Sequence, residues 1–245
     1  MMKVLKDIIY GVDLDSIKGD TNLNINSIEF DSRKVKKGSL FVAIKGKNVD
    51  GHSFIDKAIE NGASAVIYND YTFKDQKITF IKTPNTRKSL SLVASNFYEN
   101  PSKKIKLVGI TGTNGKTTVA TLLFNLFNKT GRKSGLISTI NVKYAGIEIE
   151  NHQTTPDSKK INEILSEMLE NQIEFCFMEV SSHGIDQYRI NGLKFYCGVF
   201  TNITRDHLDY HKTFASYRNI KKRFFDCLTS DSFAIINSDD KTQNS

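Results

Sequence analysis

The 245-residue sequence contains no tryptophan, only three prolines and only three cysteines. Cys176, Cys197 and Cys227 form no CxxC pair, and the first two lie in apolar, strand-like segments, so we expect reduced structural thiols. The N-terminal segment has no apolar stretch of signal-peptide length, and no run approaches the ~18 apolar residues of a membrane span. These absences predict a cytoplasmic protein with no membrane partner.

The sequence also lacks any block of five or more lysines and arginines, although its formal net charge is +7. Net positive charge favours anionic partners, and composition alone leaves nucleic acid, a membrane surface and phosphorylated small molecules open. Because the basic residues lie among acidic ones, we expect no nucleic-acid partner. The hydrophobic content of 39% is ample for a buried core.

Two halves of the chain can be separated where Asn100-Pro101-Ser102 and a pair of lysines interrupt the pattern. We therefore predict an N-terminal domain at residues 1–103 and a second domain at residues 104–245. In the first half, strands are predicted at "NSIEFDSR", "GSLFVAIKG" and after Gly62. Helices are predicted before Gly62 and at "TRKSLSLVASNFYEN". This pattern indicates a small α/β domain.

The second half alternates apolar strands with amphipathic helices. Strands are predicted at "KLVGI", "SGLIST", "EFCFMEV", "YCGVFTNI" and "SFAIIN", and helices at 117–129, 158–171 and 213–228. Strands that are apolar throughout predict a mostly parallel sheet covered by helices on both faces. In such sheets the ligand site forms at the carboxyl ends of the strands.

The segment "GITGTNGKTT" connects the first of these strands to a helix. It misses the strict phosphate-loop spacing by one residue, because Ile110 stands where the first glycine is expected. Gly112 and Gly115 still let backbone amides approach phosphate, while Lys116 can reach the phosphates and Thr117 can ligate Mg²⁺. The segment predicts a nucleotide site but leaves ATPase, kinase, GTPase and ligase open.

Further polar groups follow two other predicted strands. Glu179 ends the apolar segment "FCFME", where a carboxylate can hold the Mg²⁺ that bridges nucleotide phosphates. The strand at "VFTNI" runs into a titratable cluster, which is a candidate metal or catalytic site. The cluster comprises Arg205, Asp206, His207, Asp209 and His211. Lys221 and Lys222 follow on a helix, where lysines are ordinarily solvated.

Four segments in this order resemble the Mur ligase family of peptidoglycan synthesis: "GTNGKTT", "EVSSHGIDQYRI", "FTNITRDHLDYH" and "YRNIKKRFF". The N-terminal "DSRKVKKGSLFVAIKGKNVDGHSFIDKAIENGASAVI" resembles the first domain of two members, which add the third residue and the D-Ala-D-Ala dipeptide. "TTPDS" and "SSHGIDQYRI" favour the third-residue member. The resemblance spans nearly the whole chain.

The resemblance implies an N-terminal UDP-sugar-binding domain, a phosphate-loop-type ATPase domain and a C-terminal amino-acid-binding domain. We expect the ATPase domain to be incomplete and the C-terminal domain to be absent. The implied enzyme is an ADP-forming acid–amino-acid ligase that activates a carboxylate as an acyl phosphate, with this fragment alone inactive. The implied substrates are UDP-N-acetylmuramoyl dipeptide, ATP and an amino acid, either meso-diaminopimelate or L-lysine. We expect a monomer.

The resemblance also implies site residues. Implied to act in catalysis are Lys116, His207 and Lys221. The implied ATP loop comprises Gly112, Thr113, Asn114, Gly115, Lys116, Thr117 and Thr118. The implied Mg²⁺ ligands are Thr117, Glu179, His207 and Lys221, the last as a CO₂-derived carbamate. The implied UDP-sugar peptide contacts are Phe30, Ser32, Lys47, Asn48, Val49, Thr154, Thr155, Ser181, Gln187 and Arg189. Because Lys222 is adjacent, the resemblance leaves open which of the two lysines carries the carbamate. At position 153 the resemblance leads us to expect Asn, whereas this sequence has Gln.

Two alternatives remain at this stage. One is a ligase similar to the folylpolyglutamate synthetases, against which the N-terminal "DSR…GSLFVAIKG" segment argues. The other is a non-catalytic module that binds nucleotide or UDP-sugar without turnover.

Overall fold

The fold is taken from a computed structural model that describes residues 2–46, 48–72 and 78–240. The chain divides into two compact units, residues 1–99 and residues 100–245. Each unit contains a mostly parallel sheet with its own buried clusters. No helix in the described ranges combines the length and the apolar composition that a membrane crossing requires.

Unit 1, residues 1–99, contains short strands and three α-helices among its described residues. The strands are β1 (Lys3–Val4), β2 (Ser16–Lys18), β3 (Asn24–Ile25), β4 (Ser27–Glu29), β5 (Ser39–Val42), β6 (Ala63–Tyr68) and β7 (Thr79–Lys82). The helices are α1 (Leu5–Ile8), α2 (Ile55–Glu60) and α3 (Thr86–Phe97). Strands β4, β5, β6 and β7 pair in parallel, and β2 adds to β7 antiparallel.

Unit 2, residues 100–245, contains a larger sheet. Its strands are β8 (Lys106–Thr111), β9 (Ser134–Ile137), β10 (Asn141–Tyr144), β11 (Ile147–Glu150), β12 (Phe175–Glu179), β13 (Cys197–Phe200) and β14 (Phe233–Ile236). Its helices are α4 (Lys116–Lys129), α5 (Ser158–Glu170), α6 (Ser182–Asp186), α7 (Leu208–His211) and α8 (Phe214–Asp226). The described strands run in the order β11-β10-β9-β12-β8-β13-β14.

The five strands predicted for the second half form the parallel part of this sheet, which confirms the predicted fold class. Helix α4 covers one face, where Val119, Leu123 and Phe127 pack on a cluster that includes Ile110 and Phe177. The other face packs against α5 and α8. From β8 the chain continues to β9, which lies on one side of β8 in the sheet, and it later returns to β13, which lies on the other side of β8. The carboxyl end of β8 therefore lies where ligands bind in such sheets.

Four elements of unit 2, the strands β10 and β11 and the helices α6 and α7, are not predicted from the sequence. The antiparallel hairpin β10–β11 turns at Ala145 and Gly146, which both have positive φ, at 48° and 79°. Alanine rarely adopts this conformation, and Ala-Gly is not the usual hairpin signal. Helices α6 and α7 are only one turn long, so they have no helical periodicity to detect.

Candidate active site

The phosphate-loop segment connects β8 to α4. Gly112 has φ +151°, and a Cβ there would lie 1.9 Å from Thr201 Oγ1, so only glycine fits. Gly115 precedes the first residue of α4 with φ +83° and has no side chain to cap the helix. Helix α4 thus presents its first backbone N–H groups as donors for an anion.

The loop is held by the segment after β13. The Thr113 N–H donates to the Asn202 carbonyl at 2.8 Å, and the Asn114 N–H donates to the Asn202 side-chain oxygen at 3.0 Å. Thr201 Oγ1 donates to the Asn114 carbonyl at 2.7 Å. These bonds fix the loop before any ligand binds, which lowers the ordering cost of binding.

Lys116 folds its ammonium back over the loop. Its Nζ donates to the carbonyls of Thr113, at 2.7 Å, and Gly112, at 3.0 Å. Burial lowers the pKa of Lys116, while the carboxylates of Glu179 and Asp206 oppose this shift. The opposing effect of these carboxylates indicates that both lie close enough to the loop lysine to act on its charge.

Glu179 is fully buried at the end of β12, beside Ile110 of β8. Its Oε1 accepts the Thr139 N–H at 2.8 Å, and its Oε2 accepts the Thr139 hydroxyl at 3.2 Å. A buried carboxylate needs such hydrogen-bond donors to offset the loss of its hydration. Thr139 follows β9, and its role could not be predicted from the sequence because it is distant from Glu179 along the chain.

Lys221 lies on α8 and is only 3% exposed. Its Nζ donates to the Gly112 carbonyl at 2.8 Å and is 3.4 Å from Thr111 Oγ1. Burial, reinforced by the charge of Lys116 and opposed by Asp206, lowers the pKa of Lys221 to about 7. A substantial fraction of this amine is therefore neutral at neutral pH. Lys222 is exposed, so Lys221 is the lysine of this pair that faces the loop.

Tyr217 lies one turn before Lys221 on the same helix and is 1% exposed. Its hydroxyl forms a hydrogen bond with Thr113 Oγ1 at 3.1 Å, and Thr113 Oγ1 also accepts the Thr204 N–H at 2.9 Å. Helix α8 thus contacts the phosphate loop through two side chains. Tyr217 was not predicted as a site residue, because the contact of its hydroxyl with the loop depends on the tertiary fold.

Histidines gather beside these groups. His207 has left-handed backbone geometry, with φ 51°, and its Nε2 lies 3.5 Å from Asp206 Oδ2. The His183 ring centroid lies 5.2 Å from that of His207 and 4.1 Å from that of Tyr210. Burial, then the charges of His207 and Arg189, lower the pKa of His183. His183 was not predicted as a site residue, although it lies only four residues after Glu179, the last residue of β12.

Arg189 is oriented by three acceptors. One guanidinium nitrogen, Nη1, donates to the Thr155 carbonyl at 2.6 Å and to Gln153 Oε1 at 2.7 Å. The other, Nη2, donates to Gln187 Oε1 at 2.8 Å. Thr155 is buried and its hydroxyl donates to the Glu179 carbonyl at 2.9 Å. Gln153, the departure noted in the sequence, therefore helps to orient the arginine.

Several of these groups line a cavity of about 260 Å³ in unit 2. It brings together nine residues predicted from the sequence: Gly112, Lys116, Thr154, Thr155, Ser181, Gln187, Arg189, His207 and Lys221. The same lining includes Gln153, Ser182, His183 and Tyr217, which were not predicted as site residues. The loop lysine, the buried lysine and an oriented arginine thus face a shared space that suits an anionic ligand.

Other predicted residues are not part of this lining. Within unit 2 these are Thr113, Asn114, Gly115, Thr117, Thr118 and Glu179. Unit 1 contains Phe30, Ser32, Asn48 and Val49, whereas Lys47 lies outside the described residues. In unit 1, Ser32 is buried and its carbonyl accepts the Asn61 amide at 2.8 Å. Val49 is 56% exposed and Phe30 packs against the unit's core.

The donor chemistry near the loop suits Mg²⁺. The Glu179 carboxylate and the Thr117 hydroxyl offer hard oxygen atoms, which this ion prefers. Within the described ranges, no three His, Cys, Asp or Glu side chains are grouped closely enough to hold a metal on their own. Mg²⁺ usually keeps waters and takes substrate phosphate oxygens as ligands, so a sparse protein donor set fits it.

Comparison with protein families gives two matches. The profile described as "Mur ligase middle domain" matches residues 110–245. The profile described as "Mur ligase family, catalytic domain" matches residues 24–99.

Individual relatives agree with these profiles. The chain is 50% identical over 239 residues to UDP-N-acetylmuramoyl-L-alanyl-D-glutamate–2,6-diaminopimelate ligase of Cytophaga hutchinsonii, covering 97% of this chain and 49% of that protein. It is 47% identical to the protein of the same name from Parabacteroides distasonis, with the same coverage. The chain thus spans about half the length of the curated relatives it matches.

A solved structure of a ligase with this name superposes with a TM-score of 0.81 at 26% identity, covering 98% of this chain and 48% of that chain.

Proposed function

The chain belongs to the Mur ligase family, and on that premise we propose that it serves ATP-dependent addition of 2,6-diaminopimelate to UDP-N-acetylmuramoyl-L-alanyl-D-glutamate. The observation that carries the proposal is the single cavity in which Gly112 and Lys116 of the phosphate loop meet Arg189. ATP would supply a phosphoryl group to the substrate carboxylate, because a free carboxylate is a poor electrophile. The amine of the amino acid would then displace phosphate to form the amide.

The proposed roles of the cavity residues follow from their charges. Lys116 would move from the loop carbonyls to the ATP phosphates, since both offer oxygen acceptors. Arg189 would pair with a carboxylate or phosphate of the UDP-sugar peptide. Thr154, Thr155, Ser181 and Gln187 would orient the same substrate by hydrogen bonds. Phe30, Ser32, Lys47, Asn48 and Val49 are proposed to contact the uridine side.

Mg²⁺ is the proposed metal, with Thr117, Glu179, His207 and Lys221 as its protein ligands. When bound, it would neutralise phosphate charge and polarise the reacting oxygen. Glu179 suits this role because it is buried close enough to affect the charge of Lys116.

Lys221 is proposed to carry a carbamate formed from CO₂. Only a neutral amine attacks CO₂, and the buried position of Lys221 favours that form. The product is an anion with two oxygen atoms, which suits Mg²⁺ better than an ammonium group does. The carbamate would also remove the positive charge that Lys221 places beside Lys116.

The carbamate can be tested by carbon NMR of the protein equilibrated with ¹³C-bicarbonate. We expect one slowly exchanging carbamate signal that disappears in Lys221→Arg and persists in the matched control Lys222→Arg. A signal that survives Lys221→Arg would contradict the assignment.

The reaction can be tested by measuring phosphate release by a version that spans the full length of the curated relatives, with ATP, the UDP-sugar dipeptide and 2,6-diaminopimelate. We expect release to require both co-substrates and to fall at least about 100-fold in Lys116→Ala, since this lysine is proposed to hold the transferred phosphate. Replacing 2,6-diaminopimelate with L-lysine tests the amino-acid assignment. ATP hydrolysis that is indifferent to the UDP-sugar dipeptide would refute the proposed reaction.

A second candidate function is binding without turnover, because the chain spans about half the length of relatives that are named as ligases. Calorimetry distinguishes the two. Binding of Mg–ADP and of the UDP-sugar dipeptide, with no amide product, would support the binding module. Amide formation by the 245-residue chain would exclude it.

A folylpolyglutamate-synthetase-like ligase is disfavoured, because the Mur ligase profile over residues 24–99 matches the N-terminal unit.

A further inference from the structure

The carboxylate of Asp186 connects three helices of unit 2. Asp186 is the last residue of α6. Its Oδ2 accepts a hydrogen bond from the Tyr210 hydroxyl of α7 at 2.8 Å. Its Oδ1 lies 3.6 Å from Nη1 of Arg223, which belongs to α8. The two oxygen atoms of one side chain therefore contact two different helices.

Each of these helices adjoins residues that line the cavity. Helix α6 runs directly into the segment of Gln187 and Arg189, and α7 begins immediately after His207. Helix α8 carries Lys221, two residues before Arg223. Asp186 itself is not part of the cavity lining. It can therefore influence the cavity through its neighbours without touching a ligand there.

Helix α7 depends on such tertiary contacts for its position. It has four residues, which is too short for a helix to be stable on its own. His207 before it and Lys212 after it both have positive φ, at 51° and 66°, which residues other than glycine rarely adopt. Each such residue costs about 1 kcal/mol or more. The bond from Tyr210 to Asp186 is therefore one of the contacts that offset this strain.

Both partners of Asp186 make a second contact with the α6 segment. The Tyr210 ring centroid lies 4.1 Å from that of His183, within α6. The Arg223 guanidinium lies 5.2 Å from the ring centroid of Tyr188, just after α6. Both partners of the Asp186 carboxylate are thus also held by ring contacts with the α6 segment.

We propose that Asp186 is a positioning residue that sets His207 and Arg189 at the correct separation for the UDP-sugar dipeptide. This inference rests on the proposed function. Asp186 acts through Tyr210, which anchors the helix after His207, and through Arg223, which anchors α6 against α8. Asp186 contacts Tyr210 and Arg223, neither of which belongs to the phosphate loop, so nucleotide binding to the loop should not depend on it.

The test is calorimetric titration of the 245-residue chain with two ligands, each separately: ADP without Mg²⁺, which reports on the phosphate loop and not on the proposed metal ligand His207, and the UDP-sugar dipeptide. We expect Asp186→Ala to weaken dipeptide binding about tenfold, the effect of losing one hydrogen bond and one partly exposed ion pair. The affinity for ADP without Mg²⁺ should change less than about twofold, because neither residue that Asp186 contacts belongs to the phosphate loop. Asp186→Asn keeps an oxygen acceptor for Tyr210 and should recover most of the lost affinity.

Asp231 provides a matched control. It also pairs with one cation, Lys194 at 2.5 Å, and accepts one hydroxyl, from Thr229 at 2.5 Å. It lies outside the cavity lining. Asp231→Ala should therefore leave both affinities unchanged.

Tyr210→Phe tests the route of the effect. If Asp186 acts through Tyr210, a double variant with both Asp186→Ala and Tyr210→Phe should bind the dipeptide no more weakly than Asp186→Ala alone. The inference would be overturned if the two substitutions weaken dipeptide binding by factors that multiply in the double variant. It would also be overturned if Asp186→Ala weakens both ligands equally, or if it binds the dipeptide with wild-type affinity. Failure of the unaltered chain to bind either ligand would instead refute the proposed function.

Discussion

Lys221 places an amine where a charged group is costly, in a buried position beside another lysine. Burial and Lys116 lower its pKa from 10.5 to about 7. The unfolded chain therefore binds more protons than the native chain between these two values, and stability rises with pH across that window. Below pH 7 both states are protonated, and the native state bears the full cost of the buried charge.

We therefore predict that Lys221→Met raises the free energy of unfolding by roughly 1–3 kcal/mol at pH 6. Methionine has a similar length, and the Gly112 carbonyl keeps its hydrogen bond from Lys116 at 3.0 Å. The gain should shrink at pH 9.5, where the native amine is already neutral. Urea unfolding at both pH values measures the difference.

Lys222→Met is the matched control, because Lys222 is exposed on the same helix and should change stability little at either pH. Destabilisation by Lys221→Met at pH 6 would contradict the argument. Because the same variant removes the proposed carbamate, a more stable but inactive protein would show that this site trades stability for function.

Among the elements, the phosphate loop constrains its two glycines differently. A Cβ at Gly112 would lie 1.9 Å from Thr201 Oγ1 and 3.0 Å from the Asn202 carbonyl. A Cβ at Gly115 would meet nothing within 4 Å, so only the backbone conformation at φ +83° resists substitution. A side chain at residue 112 would clash with the Thr201 segment, whereas a side chain at residue 115 would only strain the backbone.

We predict that Gly112→Ala destabilises unit 2 by about 3 kcal/mol, because the loop must move away from the Thr201 segment. Gly115→Ala should cost about 1 kcal/mol from its left-handed backbone alone. Gly131→Ala is the control for conformation, since Gly131 also has positive φ, at 79°, and open space around it. Unfolding free energies of the three variants test the ranking, and equal losses at residues 112 and 115 would contradict it.

Elements with long or uninterrupted patterns could be predicted from the sequence. The apolar face of α5 includes Ile161, Ile164, Leu165 and Met168, which are all buried in the core. The hairpin β10–β11 could not be predicted, because its register depends on pairing β10 with β9 and on a turn at Ala145. Short-range patterns thus located strands and helices but not features that tertiary contacts decide.

The residues of the candidate site also divide into those that a local motif predicts and those that only tertiary contacts bring to the site. Gly112 and Lys116 carry their chemistry in a local motif, so the sequence alone indicated a nucleotide loop. The choice between Lys221 and Lys222 needed burial, which depends on how α8 packs. Thr139 and Tyr217 were missed as site residues because their partners, Glu179 and Thr113, are distant along the chain.

At the scale of the whole molecule, the formal net charge of +7 matches the proposed ligands. ATP and the UDP-sugar dipeptide carry phosphates, and the dipeptide also carries carboxylates. A net positive protein attracts such ligands over distances of about one Debye length, roughly 10 Å at 0.1 M salt and 3 Å at 1 M. The long-range part of this attraction should therefore act on association rates.

We predict that raising KCl from 50 mM to 1 M slows association of the UDP-sugar dipeptide by about fivefold, because salt screens the steering field. The dissociation rate should change less, since it reflects short-range contacts such as those of Arg189. Stopped-flow measurement of both rates tests this, with uncharged uridine as the control ligand. An association rate that falls equally for uridine, or that does not respond to salt, would show that the net charge plays no part in capturing the substrate.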